Sequence, residues 1–268
     1  MKRIDGVDVV TAASAETFAA NIAANCRRDL PDIHQLPEWR ECMPIALVGG
    51  GPSLAEHLGE LKRYELVMAC GSAHDYVVGQ GIDPRWAVCC DPDPAAAAYY
   101  RNPVRSCTYL IASSCDKAVF DALESYHVVR WHSGGSNLTP ELWGNERKIV
   151  IGGGCTVGTR AFMIAICFGF TTIHFFGFDG CVRDDDGRHH AYDFAADDPF
   201  DVGEMVEVRL GAPDGPSYRM AGYMLGQLFD FDKLIGKFGS RLTLTVHGEG
   251  PLSELVRYGK AKENGEEK

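Results

Sequence analysis

Two glycine-rich turns are the features of the sequence that point most directly to chemistry. The first comprises residues 49–54 (GGGPSL) and lies between the apolar run 45–48 and a helical pattern. Glycines let the backbone approach a ligand closely, and the free N–H groups at the start of a helix favour an anion. We expect the turn to bind nucleotide phosphates, the alternative being a tight turn without a ligand; the expected contacts are Gly49, Gly50, Gly51, Pro52, Ser53 and Leu54. Leu54 stands where the dinucleotide fingerprint has its third glycine, which argues against hydride transfer.

The second turn, residues 152–160 (GGGCTVGTR), resembles a phosphate loop until its end. There, Thr159-Arg160 replaces the Lys-Ser/Thr pair, which argues against a true Walker loop. The expected contacts with a ribose or phosphate are Gly153, Gly154, Thr156 and Thr159, with Arg160 within reach. The alternative is that Thr156 caps a helix while Arg160 lies in solvent.

Two carboxylates follow the third predicted strand. Asp91 and Asp93 (DPDP) are expected to hold Mg²⁺, which typically uses one or two protein carboxylates and bridges to phosphate oxygens. Because Asp-Pro is also a common turn former, a turn is the alternative role for Asp93. After the second strand, Ser72 is assigned to the nucleotide site, and His74 is a weaker ligand candidate.

A further acid follows a later strand, where FGFDG is succeeded by HHAYD at residues 189–193. Asp179 is expected to bind a hydroxyl, a base edge or a metal ion. His190 or Tyr192 could act as a general base on a mobile loop, although lone histidines are more often structural or solvated. The candidate catalytic residues are therefore Asp91, Asp179 and His190.

Short apolar runs alternating with helical patterns must position these residues. Strands are predicted at residues 45–48, 66–70, 86–90, 108–112, 128–131, 149–151, 173–176 and 242–246. The alternation predicts an α/β fold, with a Rossmann-like, doubly wound, mostly parallel sheet and helices on both faces. In such sheets ligands bind outside the carboxyl ends of the strands, which is where all the candidate residues fall.

The chain divides into three predicted parts. Residues 1–40 form a helical lead-in, with its helix at 12–27, and residues 41–260 form the nucleotide-binding domain. Within that domain, residues 179–216 are rich in aspartate and lack a clear period, which predicts a long loop region with one short strand at most. Residues 261–268 are a charged tail, expected to be frayed.

Composition limits the classes of function. The 268 residues carry a net charge of −11, from 37 acids and 26 bases, which argues against nonspecific binding to nucleic acid or anionic membranes. No signal peptide is visible, and the longest apolar run is shorter than the roughly 20 residues of a membrane span. The ten cysteines form no C-x-x-C pair, which favours free thiols and a reducing, cytoplasmic location; several lie in apolar runs expected to be buried, namely Cys70, Cys89, Cys90, Cys107 and Cys167.

Three segments in order resemble one known family. They are residues 45–54 (IALVGGGPSL), residues 81–91, which run from GIDP to Asp91, and residues 153–179 (GGCTVGTRAFMIAICFGFTTIHFFGFD). The sequence resembles the 6-hydroxymethylpterin diphosphokinase MptE-like family, which includes domains of motility-accessory proteins linked to flagellin glycosylation. Its pattern is also similar to that of bacterial sialyltransferases with a G-x-G-P-S-L loop.

The resemblance implies a Rossmann-like domain that binds a nucleotide at the GGGPSL turn. For diphosphokinase members it implies ATP, Mg²⁺ and transfer of diphosphate to a pterin alcohol, with Asp91 as the strand-end acid. Here DPDP replaces the Asp-x-Asp-Gly form, which leaves the acceptor open. For sialyltransferase-like members it implies a cytidine nucleotide sugar near residues 153–158 and a histidine base on a later loop.

These observations lead to a main hypothesis and two alternatives. The main hypothesis is a nucleotide-dependent transferase that carries out Mg²⁺-assisted diphosphoryl transfer from ATP to a small alcohol. One alternative is a glycosyltransferase with a nucleotide-sugar donor. The other is a non-catalytic nucleotide-binding accessory module, favoured by the absence of a lysine beside either glycine turn. The expected partners are the nucleotide and a small-molecule acceptor, with homo-oligomerisation left open.

Overall fold

The structure is a computed structural model and describes residues 13–36, 43–134, 149–183, 187–192, 205–210 and 215–263. Its strands are β1 (Ile45–Val48), β2 (Val67–Cys70), β3 (Trp86–Cys89), β4 (Thr108–Ala112), β5 (His127–Ser133), β6 (Val150–Ile151), β7 (Thr172–Phe176), β8 (Met205–Arg209), β9 (Ser217–Ala221) and β10 (Thr243–His247). Its α-helices are α1 (Ala15–Asn25), α2 (Leu54–Leu61), α3 (Ala73–Gly79), α4 (Lys117–Ala122), α5 (Val157–Cys167), α6 (Gly222–Phe238) and α7 (Pro251–Glu263). No helix in these described ranges is long and apolar enough to cross a membrane.

Eight strands form one sheet in the order β10-β7-β1-β2-β3-β4-β5-β6, and every neighbouring pair is parallel. The chain builds the sheet outward from β1 to β6 and then returns to place β7 on the other side of β1. The strand order therefore reverses between β1 and β7. In open parallel sheets this reversal opens a crevice at the carboxyl ends of the two strands, where ligands bind.

Helices cover both faces of the sheet because both faces of its strands are apolar. In β1, Ile45 and Leu47 belong to the core cluster that includes residues of α5 and α6. Ala46 and Val48 point the other way, into a second cluster with residues of α2 and α3. All four residues are fully buried, as expected for a strand in the middle of a doubly wound sheet.

The predicted fold is confirmed, and most strand limits agree within one or two residues. In the described part of the region 179–216, β8 is the one short strand that was expected. Its pairing with β9 in an antiparallel ribbon was not predicted. The partner strand lies just beyond the predicted loop, and three of the five β8 residues are exposed, so no apolar run marks the pair. Helix α7 reaches Glu263, past the start of the predicted tail.

The nine cysteines in the described residues are all free thiols. Cys70, Cys89 and Cys107 are buried, as predicted. Cys90 is only half-buried and Cys167 is exposed, which corrects the expectation for these two residues. Cys167 lies on the outward face of α5, because Ile164, Ala165 and Phe168 occupy the face that is buried.

A buried ionic cluster joins the N-terminal segment to β5. The Arg130 guanidinium donates to the Asp32 carboxylate over 2.8 Å and to the carbonyl oxygen of Asn25 over 2.9 Å. The other Asp32 oxygen lies 3.0 Å from Nε2 of His132. Asp32, Arg130 and His132 are each at most 5% exposed, so water cannot replace a missing partner. The lead-in is therefore fixed to the sheet by charges that depend on one another.

We expect Asp32→Ala to lower the free energy of unfolding by about 3–5 kcal/mol, because it leaves the buried Arg130 guanidinium without its counter-charge. The exposed Asp29 provides a matched control, and Asp29→Ala should change stability by no more than about 0.5 kcal/mol. Urea unfolding of the three proteins measures both effects. Equal stability of the two variants would contradict the role given to Asp32.

Candidate functional site

A cavity of about 520 Å³ opens where the strand order reverses. Three parts of the chain form its wall: the first glycine turn with α2, the segment after β7, and the end of β10 with α7. The lining residues are Pro52, Ser53, Glu56, His57, Asp179, Cys181, Arg183, Val246, His247, Gly248, Glu249 and Arg257. A concave site with a few convergent polar groups at this position is the expected ligand site of a doubly wound fold.

Asp179 occupies the N-terminus of α2. Both of its carboxylate oxygens lie 3.3 Å from the Ser53 backbone N–H, and Oδ2 accepts a hydrogen bond from the Ser53 hydroxyl at 3.0 Å. Asp179 is only 7% exposed, and this burial raises the pKa of its carboxyl, while the bonds from Ser53 and the charge of Arg183 oppose the shift. The anion at this helix N-terminus is thus a side chain of the protein itself.

The glycines of the first turn allow two segments to cross closely. Gly49 N–H donates to the Phe176 carbonyl and Gly51 N–H to the Gly177 carbonyl, each over 2.8 Å. A Cβ at Gly49 would lie 2.6 Å from the Gly177 oxygen, and one at Gly51 would overlap the Asp179 carboxylate.

Leu54 is fully buried and its N–H donates to the Gly51 carbonyl. The N–H groups of Gly49, Gly51 and Ser53 are also bonded within the protein. Nucleotide binding by residues 49–54 stays a prediction, and a phosphate that binds the Ser53 N–H must displace Asp179.

The segment 187–192 packs on the first turn. Ala191 N–H donates to the Gly50 carbonyl over 2.9 Å, and the Tyr192 hydroxyl lies 2.7 Å from the Ser72 hydroxyl. The Tyr192 ring stacks on Tyr76, and the His190 ring lies so close to Gly50 that a Cβ there would be 2.9 Å from it. His190 and Tyr192 therefore pack against Gly50, and Ser72 joins them through the Tyr192 hydroxyl. None of these four residues lines the cavity that Asp179 faces.

Asp91 and Asp93 lie at the carboxyl end of β3. Asp91 accepts hydrogen bonds from Asp93 N–H at 3.0 Å and from the Tyr99 hydroxyl at 3.2 Å, and burial raises its pKa. Asp93 accepts a bond from Ala95 N–H at 2.8 Å and so caps a 3-10 helix, which is the turn role foreseen as its alternative. The two carboxylates still fit Mg²⁺, because each oxygen has a second lone pair and oxygen is the donor this ion prefers.

In the second glycine turn, Thr156 caps α5 by accepting a bond from Thr159 N–H, as the alternative proposed. Arg160, however, is not in solvent: its guanidinium donates to the carbonyl oxygens of Ile151 and Gly134, each over 2.8 Å. These bonds tie the second turn to the ends of β5 and β6. Ligand binding by Thr156 and Thr159 stays a prediction.

Sequence reasoning missed Asp230, which lies on α6. Its carboxylate accepts a bond from Cys155 N–H at 2.7 Å, and a Cβ at Gly154 would overlap it. Gly153 and Gly154 both have positive φ, of +123° and +109°, which favours glycine whether or not a ligand is present. Nothing in the sequence near Asp230 signals this contact, because 75 residues separate it from Cys155.

The histidines of the site were also missed or misplaced. His74, a weak ligand candidate, is fully buried and bonds to Asp75 and to the Tyr109 hydroxyl, so it is a core residue. His57 and His247 line the cavity instead. His57 belongs to α2 and His247 ends β10, and the position after a strand was the one available signal for His247. Burial lowers the pKa of His247.

We expect Gly51→Ala to lower the free energy of unfolding by about 1–3 kcal/mol, because the added methyl group has no room beside Asp179 and Gly177. Gly59 is the matched control, since it lies within α2 with open space at its Cβ position. Gly59→Ala should raise stability by up to about 1 kcal/mol through helix propensity. Thermal or urea unfolding checks both signs, and a stabilising Gly51→Ala would rule out the tight crossing.

Solved structures match this chain to different extents. A MAf glycosyltransferase from Magnetospirillum magneticum AMB-1 superposes with a TM-score of 0.65 at 19% identity, over 96% of this chain and 43% of that chain. This protein therefore spans less than half of that glycosyltransferase. A mammalian sialyltransferase in complex with Gal-beta-1-3GalNAc-ortho-nitrophenol gives a TM-score of 0.46 at 10% identity, over 89% and 88% of the two chains. Comparison with curated protein sequences gives no match.

The comparison with protein families is specific. The sequence profile described as 6-hydroxymethylpterin diphosphokinase MptE-like matches residues 16–185. The matched region begins in α1 and includes both glycine turns, Asp91 and Asp179. Since it covers more than half of the 268 residues, the protein belongs to the 6-hydroxymethylpterin diphosphokinase MptE-like family, and this membership supports a transferase-like function.

Proposed function

We propose that the protein is a nucleotide-dependent transferase in which Asp179 accepts the proton of an alcohol bound in the cavity. The observation that carries the proposal is the buried Asp179 carboxylate in the cavity wall at the carboxyl ends of β1 and β7. Family membership supports the transferase class. The cavity, at about 520 Å³, has the size of small-molecule sites.

Asp179 has the properties of a general base. Its pKa is raised by burial, which makes the carboxylate a stronger proton acceptor than an exposed aspartate. The bonds from the Ser53 N–H and hydroxyl groups fix its orientation. Oδ2 accepts both of them, whereas Oδ1 accepts only from the Ser53 N–H and keeps a lone pair for a hydroxyl group in the cavity. Arg183 and Arg257 also line the cavity, where Arg183 pairs with Glu56 and Arg257 pairs with Glu249 and Glu254. A phosphate group bound there would compete with these carboxylates for the two guanidinium groups.

The preferred reaction is diphosphoryl transfer from ATP. The alcohol oxygen attacks the β-phosphorus of ATP, the new O–Pβ bond forms, and the bridging bond between the α- and β-phosphates breaks to release AMP. The alcohol proton passes to Asp179. Asp91 and Asp93 would hold Mg²⁺, which neutralises phosphate charge when bound. Ser72, whose hydroxyl lies beside that of Tyr192, is assigned to binding the nucleotide. His190, the catalytic candidate from the sequence, lies at Gly50 outside the cavity, so the proposal gives the role of base to Asp179.

A nucleotide-sugar donor is the second candidate. It is favoured by the fold shared with the MAf glycosyltransferase, although this protein spans only 43% of that chain. In this case the alcohol oxygen attacks the anomeric carbon, the bond from that carbon to the phosphate oxygen breaks, and the nucleotide leaves. Asp179 again accepts the proton, so the two candidates differ in the donor and in the need for Mg²⁺.

The donor is identified by a thermal-shift panel of ATP, GTP, CMP, a CMP-sugar and a UDP-sugar, each with and without Mg²⁺. We expect a Mg²⁺-dependent shift with ATP, since a ligand at 100 times its dissociation constant adds about 2.7 kcal/mol of stability. Asp91→Asn should remove the Mg²⁺-dependent part, and the exposed-site variant Asp29→Asn should keep it. A metal-independent shift with cytidine nucleotides would favour the glycosyltransferase. No shift with any of these nucleotides would contradict the transferase proposal.

We expect Asp179→Asn to lower turnover by roughly 10²–10⁴-fold, the usual contribution of a general base. The same substitution should raise the free energy of unfolding relative to the parent as the pH rises. Because burial raises the pKa of Asp179, the free energy of unfolding of the parent falls as pH rises from the unfolded-state pKa through the folded-state pKa. Asparagine does not ionise, so the variant should gain stability relative to the parent over that interval.

Steady-state kinetics and urea unfolding from mildly acidic to neutral pH measure the two effects, with Asp29→Asn as control. Unchanged turnover in Asp179→Asn would remove this residue from the mechanism. If the difference in stability between the parent and Asp179→Asn does not change with pH, the raised pKa of Asp179 is contradicted. The catalytic role of Asp179 is then decided by the turnover measurement alone.

A further inference from the structure

Three side chains with metal-binding groups meet in and beside the cavity wall. His57 and Glu60 lie three residues apart on α2, a spacing that places them on one face of the helix, and His247 ends β10. Their ligand atoms all lie within 4.8 Å of one another. Within the described ranges of the chain, no other group of three histidine, cysteine, aspartate or glutamate residues comes together in this way.

The spacing matches a small ion. Oε2 of Glu60 lies 3.1 Å from Nδ1 of His247 and 3.7 Å from Nδ1 of His57. A tetrahedral ion with bonds of about 2.0–2.1 Å separates its ligand atoms by about 3.3 Å. We propose that His57, Glu60 and His247 form a binding site for a divalent transition-metal ion of the zinc type. This site is separate from the Asp91 and Asp93 carboxylates.

A second layer of contacts fixes His247. Its Nε2 lies 2.9 Å from Nδ1 of His174 on β7, and that atom of His174 is also 2.8 Å from the Tyr64 hydroxyl. The His247 ring stacks on Phe176, with the ring centres 4.0 Å apart and the planes 4° from parallel. When the Nε2–H group of His247 donates to His174, its Nδ1 lone pair faces the Glu60 carboxylate. Two acceptors then face each other, an arrangement that a cation between them stabilises.

The donor set selects the class of ion. Two imidazole nitrogens and one carboxylate oxygen suit zinc and its neighbours in the first transition row, whereas Mg²⁺ prefers oxygen donors alone. Three protein ligands leave one position of a tetrahedral ion open to water or to a ligand oxygen. His57 and His247 line the cavity, so that position is available to the molecule bound there. The side chains of His57 and Glu60 are 30% and 43% exposed, which gives the ion a route from solvent.

A bonded network without an ion is the competing explanation. If the Nδ1–H group of His247 donates to Glu60, and His174 donates to His247, the same distances arise from hydrogen bonds alone. The two arrangements differ in one property: only the first binds a transition metal with defined stoichiometry. A metal titration therefore separates them, and it needs neither nucleotide nor turnover, so its outcome is independent of the transferase proposal.

The test titrates the metal-free 268-residue protein with Co²⁺, followed by visible absorption, and with Zn²⁺, followed by calorimetry. We expect one ion per chain and visible bands typical of a low-coordinate cobalt site. His57→Ala and Glu60→Gln should each weaken Zn²⁺ binding by at least about 10-fold, since each removes a direct ligand. Both positions are partly exposed on α2, and circular dichroism confirms that the variants are folded.

Two controls make the assignment specific. His34→Ala removes an exposed histidine outside the cluster, and Cys155→Ser removes an exposed thiol that could itself hold zinc. Both should bind as the parent does. The proposal is overturned if no saturable binding is seen, if His57→Ala and Glu60→Gln bind with parental affinity, or if Cys155→Ser alone abolishes binding. Competition by Mg²⁺ at concentrations similar to those of Zn²⁺ would also contradict it.

Discussion

The contact between Asp179 and the N-terminus of α2 holds the carboxyl edge of the sheet together. The two bonded residues, Ser53 and Asp179, are 126 positions apart in the chain. Their neighbours pack just as tightly, since a Cβ at Gly250 would lie 2.6 Å from the Asp179 carbonyl oxygen and one at Gly248 would overlap Ser53. The ends of β1, β7 and β10 thus converge around Ser53 and Asp179, and both residues form part of the cavity wall.

This arrangement changes what the glycine turns signify. Each turn has a carboxylate from elsewhere in the chain at its backbone N–H groups, Asp179 at the first turn and Asp230 at the second. Glycine is required at Gly51 and Gly154 because a side chain would collide with those carboxylates. A phosphate therefore meets negative charge at both turns. At the first turn Arg183 and Arg257 are already paired with glutamates, so a bound cation or the release of these ion pairs must compensate. Charge neutralisation, rather than a free helix N-terminus, becomes the condition for binding an anionic donor.

The sheet was predictable because its strands are short apolar runs that end at glycine or Asp-Pro, and this periodicity is local. The position of Asp179 after β7 followed from the same pattern. The bond between Asp179 and Ser53 could not be predicted in this way. A helix N-terminus attracts any anion, and the sequence does not say whether a ligand or a side chain supplies that anion. Asp230 and the cluster around His247 join elements that are distant in the chain, so only the packing of α6 on α5 and of β10 beside β7 brings them to the site.

Helix α2 links the proposed base to the proposed metal site. A helix rises about 1.5 Å per residue, so His57 lies about 6 Å and Glu60 about 10 Å along the axis from Ser53, where Asp179 is bound. A single small molecule can span that interval and contact both groups, whereas a polymer would have to extend beyond the cavity. Because α2 is rigid and its first turn is fixed by Asp179, the separation between the two sites is set by the helix itself. A ligand that contacts both sites must therefore match a separation that this eight-residue helix fixes.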